Sequence, residues 1–343
     1  MLPQSLPQPD LLRPGGGEPS LRWGIIGAGW IAGRFADAIA SHTEQRIVAV
    51  ATRTQSTAEA FARTHGIDHA YGSASALLAD PDIDVVYIAT QQSMHLPVGL
   101  EAIGANKHVL IEKPIATSAD EARELVAHAK DNNVLLMEAM WSRYMPQAHA
   151  VRALLADGIL GDVRSVFADH GQAMDPDNRL RQGGRGGGAL LDFGIYSVQL
   201  SSMALGPATT VAAFGTRTEF GADATSTLLL GHAGGGVSTI TTSLDTQTPS
   251  TAAINGSLAR IEFAGPFYMP MGFSVRSTDW WEPPLVWSDE SGVTVFDALS
   301  WQATALARYV SEGRTESPLH THAEMISILQ TIDEARLHLG SFE

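Results

Sequence analysis

The hydrophobic pattern of the chain changes near residue 140. Before that point, short continuous apolar runs, such as residues 84–89 and 108–111, alternate with stretches of helical period. A continuous apolar run is typical of a strand that is buried on both faces, as in a parallel sheet. Strands that alternate with helices predict βαβ units around such a sheet.

The elements of this first region follow from the same pattern. Ser118 and Glu121 have the spacing of a capping box, which predicts that a helix starts there. The predicted strands are residues 21–26, 46–52, 84–89, 108–111 and 134–137. The predicted helices are residues 30–39, 58–64, a segment through 100–102, and 118–130.

After residue 140, polar and apolar positions alternate in stretches that are typical of half-buried strands. These stretches are residues 163–170, 225–231, 236–244 and 259–263. Helical stretches are residues 145–156, 187–205, 300–311 and 323–339. The predicted fold class is α/β, with a Rossmann domain at residues 21–142. An α+β domain with one large, mostly antiparallel open sheet is expected at residues 143–343.

Residues 1–20 have the composition of a disordered leader. They contain five prolines and a run of three glycines at 15–17. They have no apolar core flanked by positive charge and no twin arginine, so we do not interpret them as a signal peptide. We therefore expect the protein in the cytoplasm.

Composition narrows the classes of function. A formal net charge of −15 argues against a nucleic-acid partner, because phosphate binding needs clustered positive charge. No apolar run approaches the roughly 20 residues that a membrane span needs. The chain has no cysteine, which excludes disulfides, thiol catalysis and cysteine-ligated metals.

A glycine-rich turn follows the first predicted strand. Gly27, Gly29 and Ala32 match G-x-G-x-x-A, and Trp30 and Ile31 open the helix that comes next. The glycines allow the backbone to approach a pyrophosphate, and the helix N-terminus attracts its negative charge. The alternative is an ordinary tight turn, but a flanking strand and helix favour a dinucleotide site.

The end of the second predicted strand bears on which dinucleotide binds. NAD enzymes usually carry Asp or Glu there for the ribose hydroxyls, and residues 51–56 contain neither. Arg53 is placed to pair with a 2′-phosphate, with Thr54 or Ser56 as a further donor. A solvated surface arginine is the alternative. We expect NADP, with NAD as the weaker candidate.

Other candidates lie just past later strands, where ligands bind in open α/β folds. Thr90 is a candidate cofactor contact, and His95 is either a substrate contact or a capping or core histidine. Glu112 and Lys113 are further candidate cofactor contacts: with Pro114 they end a later strand and put an ammonium where a nicotinamide ring would lie. That placement indicates hydride transfer.

The second half offers a partner for this ammonium. Asp192 and Tyr196 are four residues apart on one predicted helix, so they share a face. Taken alone, Tyr196 is more simply interpreted as a core tyrosine with a bonded hydroxyl, and Asp192 as an aspartate on the helix surface. A tyrosine can accept a hydroxyl proton, however, if a nearby ammonium stabilises its phenolate, and Lys113 is the candidate ammonium.

Four further polar and aromatic residues have only their position in the sequence to indicate a role. Trp141 and Arg143 follow a predicted strand and are candidate pocket residues. His320 and His322 lack a convincing third metal ligand, so we expect a solvated loop and no metal site.

Several of these segments resemble a known family. Glu112-Lys113-Pro114 resembles the central motif of the glucose–fructose oxidoreductase / inositol dehydrogenase (Gfo/Idh/MocA) family. Residues 187–196 (GGALLDFGIY) and 137–144 (MEAMWSRY) resemble its dimeric dihydrodiol dehydrogenase and D-xylose dehydrogenase branch. The resemblance runs from about Leu21 to the C-terminus.

The resemblance implies Lys113 and Tyr196 as the catalytic pair, with Asp192 near the substrate. It also implies NADP-dependent oxidation of trans-dihydrodiols or of aldoses such as xylose. Many family members have histidine where Tyr196 stands, and this branch has tyrosine. Trp30 is a bulky residue for the phosphate turn, which implies an altered grip on the cofactor.

The combined expectation is an NADP-dependent oxidoreductase that acts on a secondary alcohol or carbonyl of a cyclic polyol, above all a sugar. Rival hypotheses are an aldose–aldose oxidoreductase with retained cofactor, a trans-dihydrodiol dehydrogenase and a non-catalytic NADP-binding sensor. We expect no membrane or nucleic-acid partner. A homodimer or a dimer of dimers would form through the C-terminal sheet, which carries apolar side chains on a face that helices leave open.

Overall fold

A computed structural model describes residues 2–184 and 186–340. The described chain divides into two compact units. The first unit comprises residues 11–145 and 293–325. The second unit comprises residues 2–10, 146–292 apart from residue 185, and 326–340. Each unit has its own sheet.

The sheet of the first unit is parallel and, among the described residues, six-stranded. Its order is β3-β2-β1-β4-β5-β6, the order of a Rossmann fold, and it confirms the predicted class. The strands are β1 (Arg22–Ile26), β2 (Arg46–Ala51), β3 (His69–Tyr71), β4 (Val85–Ile88), β5 (His108–Glu112) and β6 (Leu136–Ala139). The helices between them are α1 (Trp30–His42), α2 (Gln55–His65), α3 (Ala74–Leu78), α4 (His95–Gly104) and α5 (Ala119–Asp131).

Aromatic packing joins α1 to the middle of this sheet. Phe35 of α1 stacks on Tyr87 of β4 with ring centroids 4.0 Å apart, and it lies 5.4 Å from the ring of Trp23 in β1. All three side chains are fully buried. This contact fixes the helix that follows the glycine-rich turn against the two central strands.

The capping box of α5 is formed with one change. The Ser118 hydroxyl accepts a hydrogen bond from the Glu121 amide, as predicted. The Glu121 carboxylate accepts from the Thr117 amide, one residue before the cap position, at 2.9 Å. The predicted start of this helix is therefore correct.

The sheet of the second unit is eight-stranded in the described part of the chain, in the order β14-β13-β12-β11-β7-β10-β9-β8. Only the β7–β10 pairing within it is parallel, so the expected mostly antiparallel sheet is confirmed. The helices α6 (Pro146–Ala156) and α7 (Ile195–Leu205) lie entirely within this unit. The strands are β7 (Val163–Gly171), β8 (Ala208–Arg217), β9 (Asp223–His232), β10 (Val237–Ser243), β11 (Ala252–Gly256), β12 (Ala259–Phe263), β13 (Phe273–Ser277) and β14 (Leu285–Trp287).

The predicted single helix at residues 187–205 is different in the structure. A π-helical turn spans Leu190–Gly194, and α7 begins only at Ile195. Gly188 has φ +101°, outside the range of a right-handed helix, and a Cβ there would lie 2.1 Å from the Asp223 carboxylate. Gly188 therefore permits close packing against Asp223 and delays the start of the helix.

The division between units also departs from the predicted boundary at residue 143. Residues 293–325, which contain α8 (Leu299–Ser311), belong to the first unit, where α8 packs on α1. The last helix, α9 (His322–His338), starts in the first unit and ends in the second. The amphipathic pattern of α8 predicts a helix but does not say which sheet it covers.

Residues 2–20 contain no helix or strand, in keeping with an irregular leader, but they make defined contacts. The Trp287 indole donates to the Pro7 carbonyl at 3.1 Å. The buried Glu18 carboxylate accepts from the amides of Gly15 and Glu44. The structure therefore shows an irregular segment held by specific hydrogen bonds.

None of the helices formed by residues 2–184 and 186–340 combines the length and apolar character that a bilayer span requires.

Candidate active site

Gly27 begins the site at the carboxyl end of β1. Its φ is +110°, and a Cβ atom there would lie 2.4 Å from the Ala89 carbonyl oxygen. Its amide donates to the Ala51 carbonyl at the end of β2. Only glycine fits this turn, which is held between the ends of β2 and β4 at the point where the strand order reverses.

Gly29 caps α1 without a side-chain hydrogen bond to the first turn. A Cβ atom at Gly29 would meet nothing within 4 Å, so the helix N-terminus faces open space. The first amides of a helix have no partner within it and carry partial positive charge. This turn fits the pyrophosphate of a dinucleotide.

Trp30 and Ile31 form the first turn of α1. Ile31 is half-buried, whereas Trp30 is 60% exposed. The Trp30 ring packs edge-on against Phe296, with centroids 4.7 Å apart, and the Arg34 guanidinium lies 5.6 Å from its centre. Phe296 arrives from a segment 266 positions later in the chain, which no local pattern links to the turn.

Arg53 follows β2 and its side chain is exposed. The neighbouring Thr52 hydroxyl donates to the Thr54 carbonyl at 2.8 Å, and this contact shapes the turn. Both the 2′-phosphate hypothesis and the surface-arginine hypothesis are compatible with that position.

The strand end at Glu112 is organised by hydrogen bonds. The buried Glu112 carboxylate accepts from the Tyr87 hydroxyl and, at 3.2 Å, from the Lys113 amide. Glu112 therefore holds the backbone of the motif, whereas the Lys113 side chain is half-buried. The glutamate predicted as a cofactor contact has a bracing role in this structure.

His95 is 1% exposed and bridges two strand ends. Its Nδ1 lies 2.8 Å from the Pro114 carbonyl oxygen, and its Nε2 lies 3.2 Å from the Thr90 carbonyl oxygen. Burial lowers the pKa of its imidazole. These contacts support the core-histidine interpretation rather than a substrate contact, and they tie Thr90 to the Lys113 loop.

Trp141 and Arg143 are also turned inward. Trp141 is 4% exposed and stacks on Phe296 with ring centroids 5.9 Å apart. The Arg143 guanidinium, whose side chain is 3% exposed, pairs with Glu324. The structure therefore does not support a substrate contact by Arg143, because its charge is committed to a buried ion pair.

In the second unit, Tyr196 lies among aromatic rings. Its ring stacks on Tyr268 at 4.7 Å and lies 5.9 Å from His170. His170 also stacks on Tyr268 and on Phe193, at 4.4 and 4.6 Å. Sequence reasoning missed His170 and Tyr268. The signal for His170 is its inward position in β7, where the alternation places a polar ring on the buried face.

Asp192 lies in the π-helical turn that precedes Tyr196. Its side chain is 14% exposed, and its carboxylate oxygen is 4.0 Å from the guanidinium of Arg179, which the sequence did not single out. Short π-helical segments occur frequently at functional sites. A carboxylate and a phenol are thus presented from one irregular helix start.

The histidines of the 320–322 segment contradict the expected solvated loop. His320 and His322 are 1% and 2% exposed. Each binds a residue of β6: His320 contacts the Glu138 carboxylate at 2.6 Å, and His322 contacts the carbonyl of Leu136, the first residue of the strand, at 3.0 Å. They are buried because the segment packs on the sheet of the first unit, a long-range contact that local composition cannot reveal.

A glycine turn open to a pyrophosphate, at the reversal point of a Rossmann sheet, defines a dinucleotide-dependent enzyme. Residues 21–140 match the family model described as "Oxidoreductase family, NAD-binding Rossmann fold", and residues 148–262 match the "GFO/IDH/MocA C-terminal domain". The chain belongs to this oxidoreductase family, and it is an NAD(P)-dependent oxidoreductase.

Three similar proteins illustrate the relationship. A trans-1,2-dihydrobenzene-1,2-diol dehydrogenase from Bos taurus is 35% identical over 326 residues, which cover 94% of this chain and 97% of that protein. A 3-ketoreductase from Actinomadura kijaniata, solved with NADP, is 25% identical with a TM-score of 0.79, covering 93% and 98% of the two chains. Levoglucosan dehydrogenase, solved with NADH and levoglucosan, shares the fold at 20% identity, a TM-score of 0.83 and 94% and 97% coverage.

Proposed function

We propose that this protein is an NADP-dependent dehydrogenase or reductase acting on a ring carbon that carries a secondary hydroxyl next to another hydroxyl. Sugars in their ring form and trans-dihydrodiols share this arrangement. The observation that carries the proposal is Tyr196, a phenol stacked in an aromatic cluster and preceded by Asp192 on the same helix start. The 35% identity to a dihydrodiol dehydrogenase supports the same substrate class.

The proposed chemistry divides between the nicotinamide, three side chains and the aromatic cluster. When bound, the nicotinamide accepts or supplies the hydride. Tyr196 takes the hydroxyl proton during oxidation and returns it during reduction. The Lys113 ammonium stabilises the phenolate form of the tyrosine, and Asp192 accepts a hydrogen bond from the neighbouring hydroxyl. The aromatic cluster presents a flat apolar surface to one face of the ring.

A substrate panel tests this proposal. The protein would be incubated with NADP and, separately, D-xylose, D-glucose, myo-inositol and a trans-dihydrodiol of benzene, and absorbance of the reduced nicotinamide would be followed. Turnover of a sugar or of the dihydrodiol is expected, and the preferred one identifies the substrate branch. Tight NADP binding without turnover of any ring diol or its ketone would favour the sensor. Cofactor that stays bound through purification would favour the aldose–aldose oxidoreductase.

The preference for NADP has its own test. Replacing Arg53 with alanine should weaken NADP binding about 10- to 100-fold, because hydrogen bonds to charged groups contribute about 1.5–3 kcal/mol. NAD binding should change little. Titration of protein fluorescence with both cofactors measures this, and Arg46→Ala, an exposed arginine at the opposite end of β2, is the control. Equal affinity of the wild type for NAD and NADP would contradict the proposal.

We also propose that the reaction needs no metal ion. Among the described residues, no three histidine, aspartate or glutamate side chains are grouped as a metal site would require. Activity should therefore survive dialysis against EDTA unchanged within assay error. Loss of activity that a divalent metal restores would overturn this prediction.

The assembly proposal rests on the open face of the second sheet. Phe167 of β7 and Leu229 of β9 point outward from this face and are 49% and 51% exposed. Phe214 and Val286 continue the face and are 72% and 74% exposed. A patch of this kind is unusual on a monomer, and twofold assembly is the commonest way to cover it. We propose a homodimer or a dimer of dimers through this face.

Replacing Leu229 with glutamate should shift the protein toward monomer, because it places a charge on this exposed apolar face. Light scattering at micromolar concentration measures the change. Leu337→Glu, which alters a residue of similar exposure on α9, should leave the assembly intact. A wild type that is monomeric at this concentration would contradict the assembly proposal.

The remaining part of the proposal, a cytoplasmic location, is tested by cell fractionation.

A further inference from the structure

A buried polar chain runs beneath the Lys113 loop in the first unit. Glu138, at the carboxyl end of β6, is 2% exposed. Its Oε1 accepts a hydrogen bond from the Ile115 amide at 2.8 Å, and its Oε2 lies 2.6 Å from His320 Nε2. Ile115 is two residues past Lys113. The carboxylate thus links the loop to a histidine 182 positions later.

The chain continues away from the loop. His320 Nδ1 lies 3.6 Å from a carboxylate oxygen of Glu324, and Glu324 pairs with the buried Arg143. Burial alone would raise the pKa of Glu324, but the neighbouring His320 and the Arg143 charge bring it to about 2. Glu324 is therefore ionised at neutral pH, and it faces the Nδ1 side of His320, whereas Glu138 binds Nε2.

Burying such a row of hydrogen-bonded polar side chains is unfavourable unless every charged member has a partner. The contacts around Glu138 show which part of the backbone it holds. In the loop after β5, the peptide group that joins Pro114 to Ile115 is held at both of its polar atoms, with His95 at the Pro114 carbonyl and Glu138 at the Ile115 amide. These two contacts fix the orientation of this peptide group, one residue past Lys113.

We infer that Glu138 and His320 are positioning residues for the Lys113 loop. They act through the Ile115 amide and hold the lysine backbone, and thereby its ammonium, in the orientation that the reaction needs. The catalytic part of this inference rests on the proposed function, whereas the mechanical part, the restraint of residues 113–115, does not. Small displacements of a reacting group can reduce rates by about 100-fold.

Two neighbouring histidines provide a matched comparison. His320 and His322 are both buried and both bind β6, but His320 binds Glu138, the residue that holds the Lys113 loop, whereas His322 binds the Leu136 carbonyl at the start of the strand. His320→Gln should lower kcat about tenfold and leave KM and the NADP dissociation constant within about twofold. His322→Gln should reduce the melting temperature about as much as His320→Gln does, but it should not change kcat.

The glutamate is tested by a conservative pair. Glu138→Gln keeps an oxygen for the Ile115 amide and should retain most of the wild-type kcat. Glu138→Ala removes that oxygen and should lower kcat at least as much as His320→Gln. If the alanine variant does not fold, the glutamine and histidine variants still decide the matter.

Amide exchange separates the two layers of the inference. Hydrogen exchange of the Ile115 amide, resolved by NMR, should accelerate at least tenfold in His320→Gln and remain as in wild type in His322→Gln. Unchanged exchange in His320→Gln, or equal losses of kcat in the two histidine variants, would overturn the positioning role. If the wild type shows no turnover with any ring diol, the proposed function fails, but the exchange result still judges the restraint of the loop.

Discussion

Tyr196→Phe should lower kcat by at least about a hundredfold, the usual loss when general acid–base catalysis is removed. This corresponds to about 2.7 kcal/mol of activation free energy at 1.36 kcal/mol per tenfold change in rate. The phenylalanine ring keeps the stack on Tyr268, so the fold around the site should survive. NADP affinity should change little, because in the proposed mechanism the phenol faces the substrate.

Steady-state kinetics and cofactor titration measure both effects. Tyr309→Phe is the control, because it removes a buried phenol from α8, away from the proposed chemistry. Near-wild-type turnover by Tyr196→Phe would exclude the tyrosine as the acid–base group. Lys113 would then be the remaining candidate, because both ring nitrogens of His95 face backbone carbonyls.

Lys113→Ala should cause a loss of similar size, for a related reason. In the proposed mechanism the ammonium acts partly by stabilising the Tyr196 phenolate, so the two residues share one step. The double variant should therefore lose less activation free energy than the sum of the two single losses. Fully additive losses would mean that the residues act independently, and the proposed pairing would be wrong.

The Rossmann half was predictable because its signals are local. The buried runs of β4 and β5 and the Ser118 cap each lie within a few residues of the element they specify. Gly27 and Gly29 indicate the turn in the sequence, and at Gly27 only glycine permits the backbone conformation. The family relationship confirms the Rossmann fold that these local sequence patterns predict. The short elements β3 and α3 were not predicted, because a segment of three to five residues is too short to show a periodic pattern.

Side-chain roles were harder to predict because they depend on contacts distant in sequence. Arg143 follows a strand end, as a pocket residue would, but a glutamate 181 positions later turns it inward. His320 lies in a polar segment, and its burial comes with a contact to Glu138, which is distant in sequence. The rule that ligands bind at strand ends predicts a site at the carboxyl edge of the sheet. It could not distinguish a side chain that is available to a ligand from one that is buried and holds the surrounding backbone.

The start of the helix that carries Asp192 and Tyr196 depends on a buried carboxylate. Asp223, the first residue of β9, is fully buried, and its Oδ2 accepts from the Leu190 amide at 2.7 Å. Burial raises its pKa to about 6, although the Leu190 amide and Arg336, whose Nε lies 4.0 Å from Oδ1, act in the opposite direction. The π-helical turn is therefore held by a group that titrates close to neutral pH.

The consequence for stability has a definite sign. The folded protein binds the Asp223 proton more tightly than the unfolded chain, whose carboxyl titrates at 3.8. The stabilisation is therefore fully present below pH 3.8 and is lost as the pH rises through about 6. At 1.36 kcal/mol per pH interval of this difference, the total change is about 3 kcal/mol. Asp223→Asn keeps an oxygen for the Leu190 amide but has no proton to lose.

We therefore expect the free energy of unfolding of the wild type, relative to Asp223→Asn, to fall by about 2.5 kcal/mol, most of the total change, between about pH 4 and pH 7. Urea unfolding of both proteins across this range measures the difference, and subtraction removes the groups that they share. The absolute offset also contains the altered pairing of Arg336, so the slope carries the result. A difference that stays constant with pH would show that Asp223 is ionised throughout, with Arg336 as its full counter-ion.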